Sequence, residues 1–188
     1  MIADRGLPMP PPAARPASFR TLLSRFRRNG RGSAAVEFAL VAPLFFALLF
    51  AIIETALMFF ASQVLETITQ NSARMIFTGQ AQAQSFTASQ FKTFVCGQIP
   101  ALFTCSSMYV DVQSYTSFSS ITFNTQIDSN GNFISNNLQY SPGGAGSIVV
   151  VRVFYPWQLF VTGLGFNMSN LTGSQRLLVA TAAFQNEP

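Results

Sequence analysis

The sequence predicts an α+β fold: a long N-terminal transmembrane helix that continues beyond the membrane and packs on a small antiparallel sheet. Three observations carry that expectation. An apolar run over residues 38–61 holds one charge, helical spacing of apolar residues persists to residue 76, and alternating strand patterns begin only after Cys105. Of the 188 residues, 10% are charged and 20 are Phe, a composition unlike a typical soluble enzyme. A membrane protein is the leading class.

The net charge of +4 is unevenly spread. Residues 1–32 carry seven arginines against Asp4, while the rest of the chain is net acidic. A basic patch can bind nucleic acid. Here the arginines lie directly before an apolar run, with no recognition element after them, so positive-inside anchoring explains them and no nucleic acid partner is expected.

At about 1.5 Å per residue, the run over 38–61 gives roughly 36 Å of helix, enough to cross a hydrocarbon core of about 30 Å. The lipid bilayer is therefore an expected partner. A cleaved secretory signal is the rival reading, but its apolar stretch would be shorter and would end at a small-residue site. The arginine cluster puts residues 1–32 on the cytoplasmic side and the C-terminal part outside. Past the run, Leu57, Ala61, Val64, Leu65, Ile68, Met75 and Ile76 keep helical spacing, and Gly79 is a candidate C-terminal cap. A helix over residues 33–78 would be about 68 Å long, and its outer half needs a partner for its apolar stripe.

That partner is expected in residues 80–188. Residues 84–95 suggest a short helix with Phe86, Phe91, Phe94 and Val95 toward a core. Residues 107–113 and 121–127 alternate as half-buried strands, and Asn130-Gly131 marks a turn. The strongest strand pattern covers residues 147–155, with Val149, Val151, Val153 and Tyr155 on one face, Arg152 on the other, and Pro156 at an end or edge. A last strand covers residues 176–184. Cys96 and Cys105, nine positions apart, are placed to close a small loop in an oxidising compartment, the alternative being two free thiols in a core.

Chemistry is sparse. The chain has no histidine, two cysteines do not make a zinc site, and residues 141–147 lack the Lys-Ser/Thr ending of a phosphate loop. No metal, cofactor or catalytic residue is expected, and the chain is not expected to be an enzyme. Asp111, Asp128 and Glu187 read as solvated surface acids. Glu37 and Glu54 remain, two carboxylates in or beside hydrocarbon, where such groups are paired, protonated or functional. Either could be interfacial, and Glu54 could reach out to the membrane surface.

The spacing of Glu37 from Gly32 makes a resemblance specific. The stretch "GSAAVEF" resembles the processing site of type IV pilin-like proteins. The wider pattern "GSAAVEFALVAPLFFALLFAIIE", with Pro43 and Glu54, is similar to TadE-like proteins of the Tad (tight adherence, Flp) pilus system. The similarity extends through "LETITQNSARMIFTG", the paired cysteines and the ending "LLVATAAFQNEP".

The resemblance implies a minor pilin or pseudopilin with a type IV pilin-like fold, cut by prepilin peptidase between Gly32 and Ser33. It implies a single pass of a Gram-negative inner membrane, a periplasmic C-terminal domain, and a role in assembling an adhesive filament with other pilins and the inner-membrane Tad machinery. The domains would be a cleaved leader (1–32), a long helix (33–79) and a periplasmic α+β domain (80–188). Glu37 and Phe38 would set assembly and register, Pro43 and Glu54 helix packing. Glu37 would pair with the Ser33 amine of a neighbour, and Ala34, Ala35, Ala39, Ala42 and Ala47 would allow close helix contact. The runner-up reading is an unprocessed single-pass envelope protein whose periplasmic domain binds a secretion or envelope partner.

Overall fold

The structure is a computed structural model, and it describes residues 32–163 and 167–187. The basic leader, except for Gly32, lies outside the described residues. The chain divides into two compact units, Met1–Phe45 and Phe46–Pro188. The described part of the first is almost wholly helical, the start of α1 (Ser33–Phe77), which runs on into the second.

α1 ends one residue short of the expected boundary. Leu, Ala, Met and Phe favour the helix, and Pro43 sits inside it with one ladder bond missing. Hydroxyls that would otherwise be stranded on an apolar helix bond back to its own carbonyls: Thr55 to Ala51 at 2.7 Å and Ser62 to Met58 at 3.0 Å. Gly79, at φ 73°, takes the left-handed conformation that stops the helix and that a side chain would strain. An 18-residue window of α1 has mean hydropathy 2.5 and no buried residue, so the helix is long and apolar enough to cross a membrane. It makes the chain a candidate single-pass membrane protein.

In the second unit, α1 buries Glu54, Met58, Ala61, Leu65, Ile68, Ser72 and Ile76, steps of three and four that form one stripe. Of the expected stripe Ala61, Leu65, Ile68 and Ile76 are buried, Val64 and Met75 are partly buried, and Leu57 is exposed with Met58 in its place. The short helix expected over 84–95 starts later, as α3 (Ala88–Cys96), and a separate turn of helix, α2 (Gln80–Ala83), precedes it. The break follows from a capping box at Thr87, whose hydroxyl accepts from the Gln90 N–H while the Gln90 side chain accepts from the Thr87 N–H. Phe91 and Val95 are buried as expected, and Phe86 packs at the core margin.

β1 (Tyr109–Tyr115), β2 (Ile148–Gln158) and β3 (Gln175–Gln185) form an antiparallel sheet in the order β1-β2-β3. Val149, Val151, Val153 and Tyr155 join Met108, Val112, Leu178 and the α1 stripe in the main core. β2 continues through Pro156, which pairs with Leu177 of β3. β1 ends its pairing at Phe154, so Pro156 sits where β2 has one strand neighbour, a place that tolerates a missing donor. The opposite face of the sheet is covered as well. Phe154, Leu171 and Leu177 form a second cluster with Tyr109, Ile127, Phe133 and Leu138.

The strand expected over residues 121–127 is not formed; only Ile127 makes an isolated bridge, to Phe133. The turn between them is as expected, with Gly131 at φ 78°. The edge of β1 is instead taken by residues 139–141: the Val112 N–H donates to the Gln139 carbonyl at 2.8 Å, and Ser141 N–H to the Val112 carbonyl at 2.7 Å. At the far end, Glu187 N–H donates to the Phe77 carbonyl at 3.1 Å and Phe184 meets Phe77 edge to face, tying β3 to the end of α1.

Candidate assembly and membrane-contact segment

In the first unit, the helical spacing of four brings Ser33 and Glu37 together. The Ser33 hydroxyl donates to Glu37 Oε1 at 2.8 Å, and both residues are exposed. A carboxylate one turn from Ser33 can accept from a donor at the helix start, whether that donor is a hydroxyl or an amine. Phe38, 68% exposed, follows directly, and Val36, Leu40, Val41 and Leu44 are exposed around it. Together with the exposed Ala34, Ala35, Ala39 and Pro43 they go round the whole helix. Such a surface suits lipid or other apolar helices rather than water.

In the second unit, Glu54 does not reach outward. It is 6% exposed, and its carboxylate accepts two consecutive backbone N–H groups from the β2–β3 connection: Phe160 through Oε1 and Val161 through Oε2, the latter at 3.0 Å. A carboxylate with two N–H donors keeps much of the stabilisation that water would supply. The pairing therefore accounts for an acid within an apolar run. Two apolar grooves adjoin it, one of about 490 Å³ lined by Ala51, Thr55, Phe59 and Val161, the other of about 360 Å³ lined by Phe50, Leu57, Trp157 and Phe160.

Cys96, the last residue of α3, and Cys105, the first of a 3₁₀ turn, are joined in a disulfide with Cα atoms 5.5 Å apart. The bridge closes the loop that leads from α3 into β1.

One expected surface acid is not at the surface. Asp111 is fully buried and faces Arg152 across β1 and β2. Arg152 donates to Asp111 Oδ2 through Nε at 3.0 Å and Nη2 at 2.7 Å, while Oδ1 accepts from the Gln139 N–H at 2.8 Å. Phe123 and Phe154 lie over the guanidinium at 5.0 and 5.2 Å. The burial arises because residues 116–147 fold over this sheet face, which strand alternation alone does not reveal. The shared orientation of Asp111 and Arg152, each opposite in parity to the core valines, was the available signal. By contrast Asp128 is a half-buried turn residue; N–H donors from Asn132 and Asn130 hold its carboxyl below the usual range.

No curated protein and no solved structure matches the chain. The family model described as TadE-like protein does match, over residues 32–74, so that segment is similar to TadE-like proteins, with Gly32, Ser33, Glu37, Phe38, Pro43 and Glu54 all inside it.

Proposed function

We propose that the chain is a minor pilin or pseudopilin that takes part in assembling a Tad (Flp) pilus used for adhesion. It is inserted once in the bacterial inner membrane with its N-terminus cytoplasmic and its sheet-containing domain periplasmic. Prepilin peptidase cuts between Gly32 and Ser33, and the mature chain then contacts other pilins and the Tad machinery.

The observation that carries this reading is the family match over residues 32–74, which coincides with an apolar helix that begins at Ser33, is exposed over its first turns and places Glu37 one turn in. Cleavage would leave an ammonium at Ser33. Transfer of the helix from lipid to a filament core would desolvate that ammonium and Glu37 together, and pairing across neighbouring subunits offsets the cost while fixing axial register. The disulfide fits a periplasmic, oxidising location. The C-terminal domain is large for a bulk subunit of a thin filament, which favours a minor or assembly role.

Glu37→Ala tests the pairing. Membrane insertion should be unchanged, because an apolar run gains another apolar residue, while pilus assembly should fall. Wild-type assembly in the variant would overturn the role given to Glu37.

A further inference from the structure

We infer that residues 159–163, the start of the β2–β3 connection, form a second membrane contact: they sit in the lipid interface beside the emerging helix, with Phe160 directed into lipid. This goes beyond the pilus reading and rests only on α1 spanning a bilayer.

Two observations are hard to reconcile with a water-facing loop. Phe160 is 84% exposed, more than any other large apolar side chain among the described residues. Yet the N–H groups of Leu159, Phe160 and Val161 are all taken from within the protein. Leu159 N–H donates to the Ser174 carbonyl at 3.0 Å, Phe160 N–H to Glu54, and Val161 N–H to Glu54 at 3.0 Å. Gln158 Nε2 also caps the Leu159 carbonyl at 3.2 Å. Irregular backbone is tolerated at membrane depth only where the protein satisfies its polar groups. A loop in water has no such need, because the solvent would supply the partners.

Its place on the helix agrees. About 20 helical residues cross roughly 30 Å of hydrocarbon, so a span beginning between residues 33 and 38 ends at the turns around Glu54. Phe50, Ile53 and Leu57 of α1 are exposed there and line a groove with Trp157 and Phe160, so the loop's apolar surface continues that of the helix. Trp157 supplies an amphipathic ring at the level where such rings collect. The occupant is therefore lipid, and Glu54 acts as the clasp that holds the loop at that level.

The test uses the full chain in phosphatidylethanolamine/phosphatidylglycerol vesicles. Cys96 and Cys105 are bridged, so a single introduced thiol takes a nitroxide label. The variants are Phe160→Cys, Leu44→Cys in the helix, and Val179→Cys on the exposed side of β3. Expected is a ratio of oxygen to nickel-chelate collision rates several-fold higher at 160 than at 179, and high at 44. In the wild-type chain, emission from Trp157, the one tryptophan, should also be quenched by lipids brominated high on the acyl chain. A label at 160 as accessible to nickel as that at 179, with 44 shielded and Trp157 unquenched, overturns the inference and leaves the pilus reading standing. No shielding at 44 overturns both. Shielding at 160 that appears only at high protein-to-lipid ratio assigns the loop to contact between copies and also overturns the lipid contact.

Discussion

Asp111 and Arg152 lie directly opposite each other on β1 and β2, both buried, with guanidinium Nη2 2.7 Å from the carboxylate. The two ends of this pair are not equally supported. Without Arg152, Asp111 still accepts from the Gln139 N–H and from Gln113 Nε2; without Asp111, no hydrogen bond from another described residue holds the guanidinium beneath Phe123 and Phe154.

Asp111→Ala should therefore lower stability by about 3–5 kcal/mol, the usual cost of a stranded buried charge. Arg152→Met, which fills the same space with an apolar chain, should cost less. Urea unfolding of the detergent-solubilised chain compares them, and an equal or reversed order would contradict the asymmetry.

Glu54 is predicted to hold the Phe160 and Val161 amides closed. Glu54→Gln keeps one acceptor oxygen and Glu54→Leu keeps none, so the leucine variant should lose roughly 1–3 kcal/mol for each N–H left unpaired. Hydrogen exchange at residues 160 and 161 should quicken in both variants and most in the leucine one. Unchanged exchange would remove Glu54 from that role.

Asp128 gives a pH signature. Its folded carboxyl is held low first by the Asn132 N–H at 2.7 Å and the Asn132 side chain at 3.0 Å, then by the Asn130 N–H. A folded value below the unfolded one means the turn is supported fully above the ordinary value of 3.8, and the support fades as pH falls through the lowered value. The Asn130 and Asn132 amide resonances should move together over that acid range in the wild type and stay fixed in Asp128→Asn.

The long helix, the three strands, the turn at Gly131 and the disulfide were legible because each depends on local pattern or spacing. Residues 121–127 alternate like a strand, but Tyr140 and its neighbours occupy the β1 edge, so pairing was decided by a segment with no strand pattern of its own. Asp111 was misplaced for the same reason: burial came from the 116–147 excursion, which local periodicity does not encode. The Glu54 clasp joins residues 106 positions apart, and sequence alone left that acid paired, protonated, functional or reaching to the membrane surface. At the N-terminus, the distance from Gly32 to Glu37 was readable directly.

Whether that distance is used as a processing site is decided by the intact mass, with N-terminal sequencing, of the chain extracted from the membrane of a host that carries prepilin peptidase. A mature chain that starts at Ser33, lacking residues 1–32, is the predicted result. Retention of residues 1–32 in that host would contradict the processed-pilin reading.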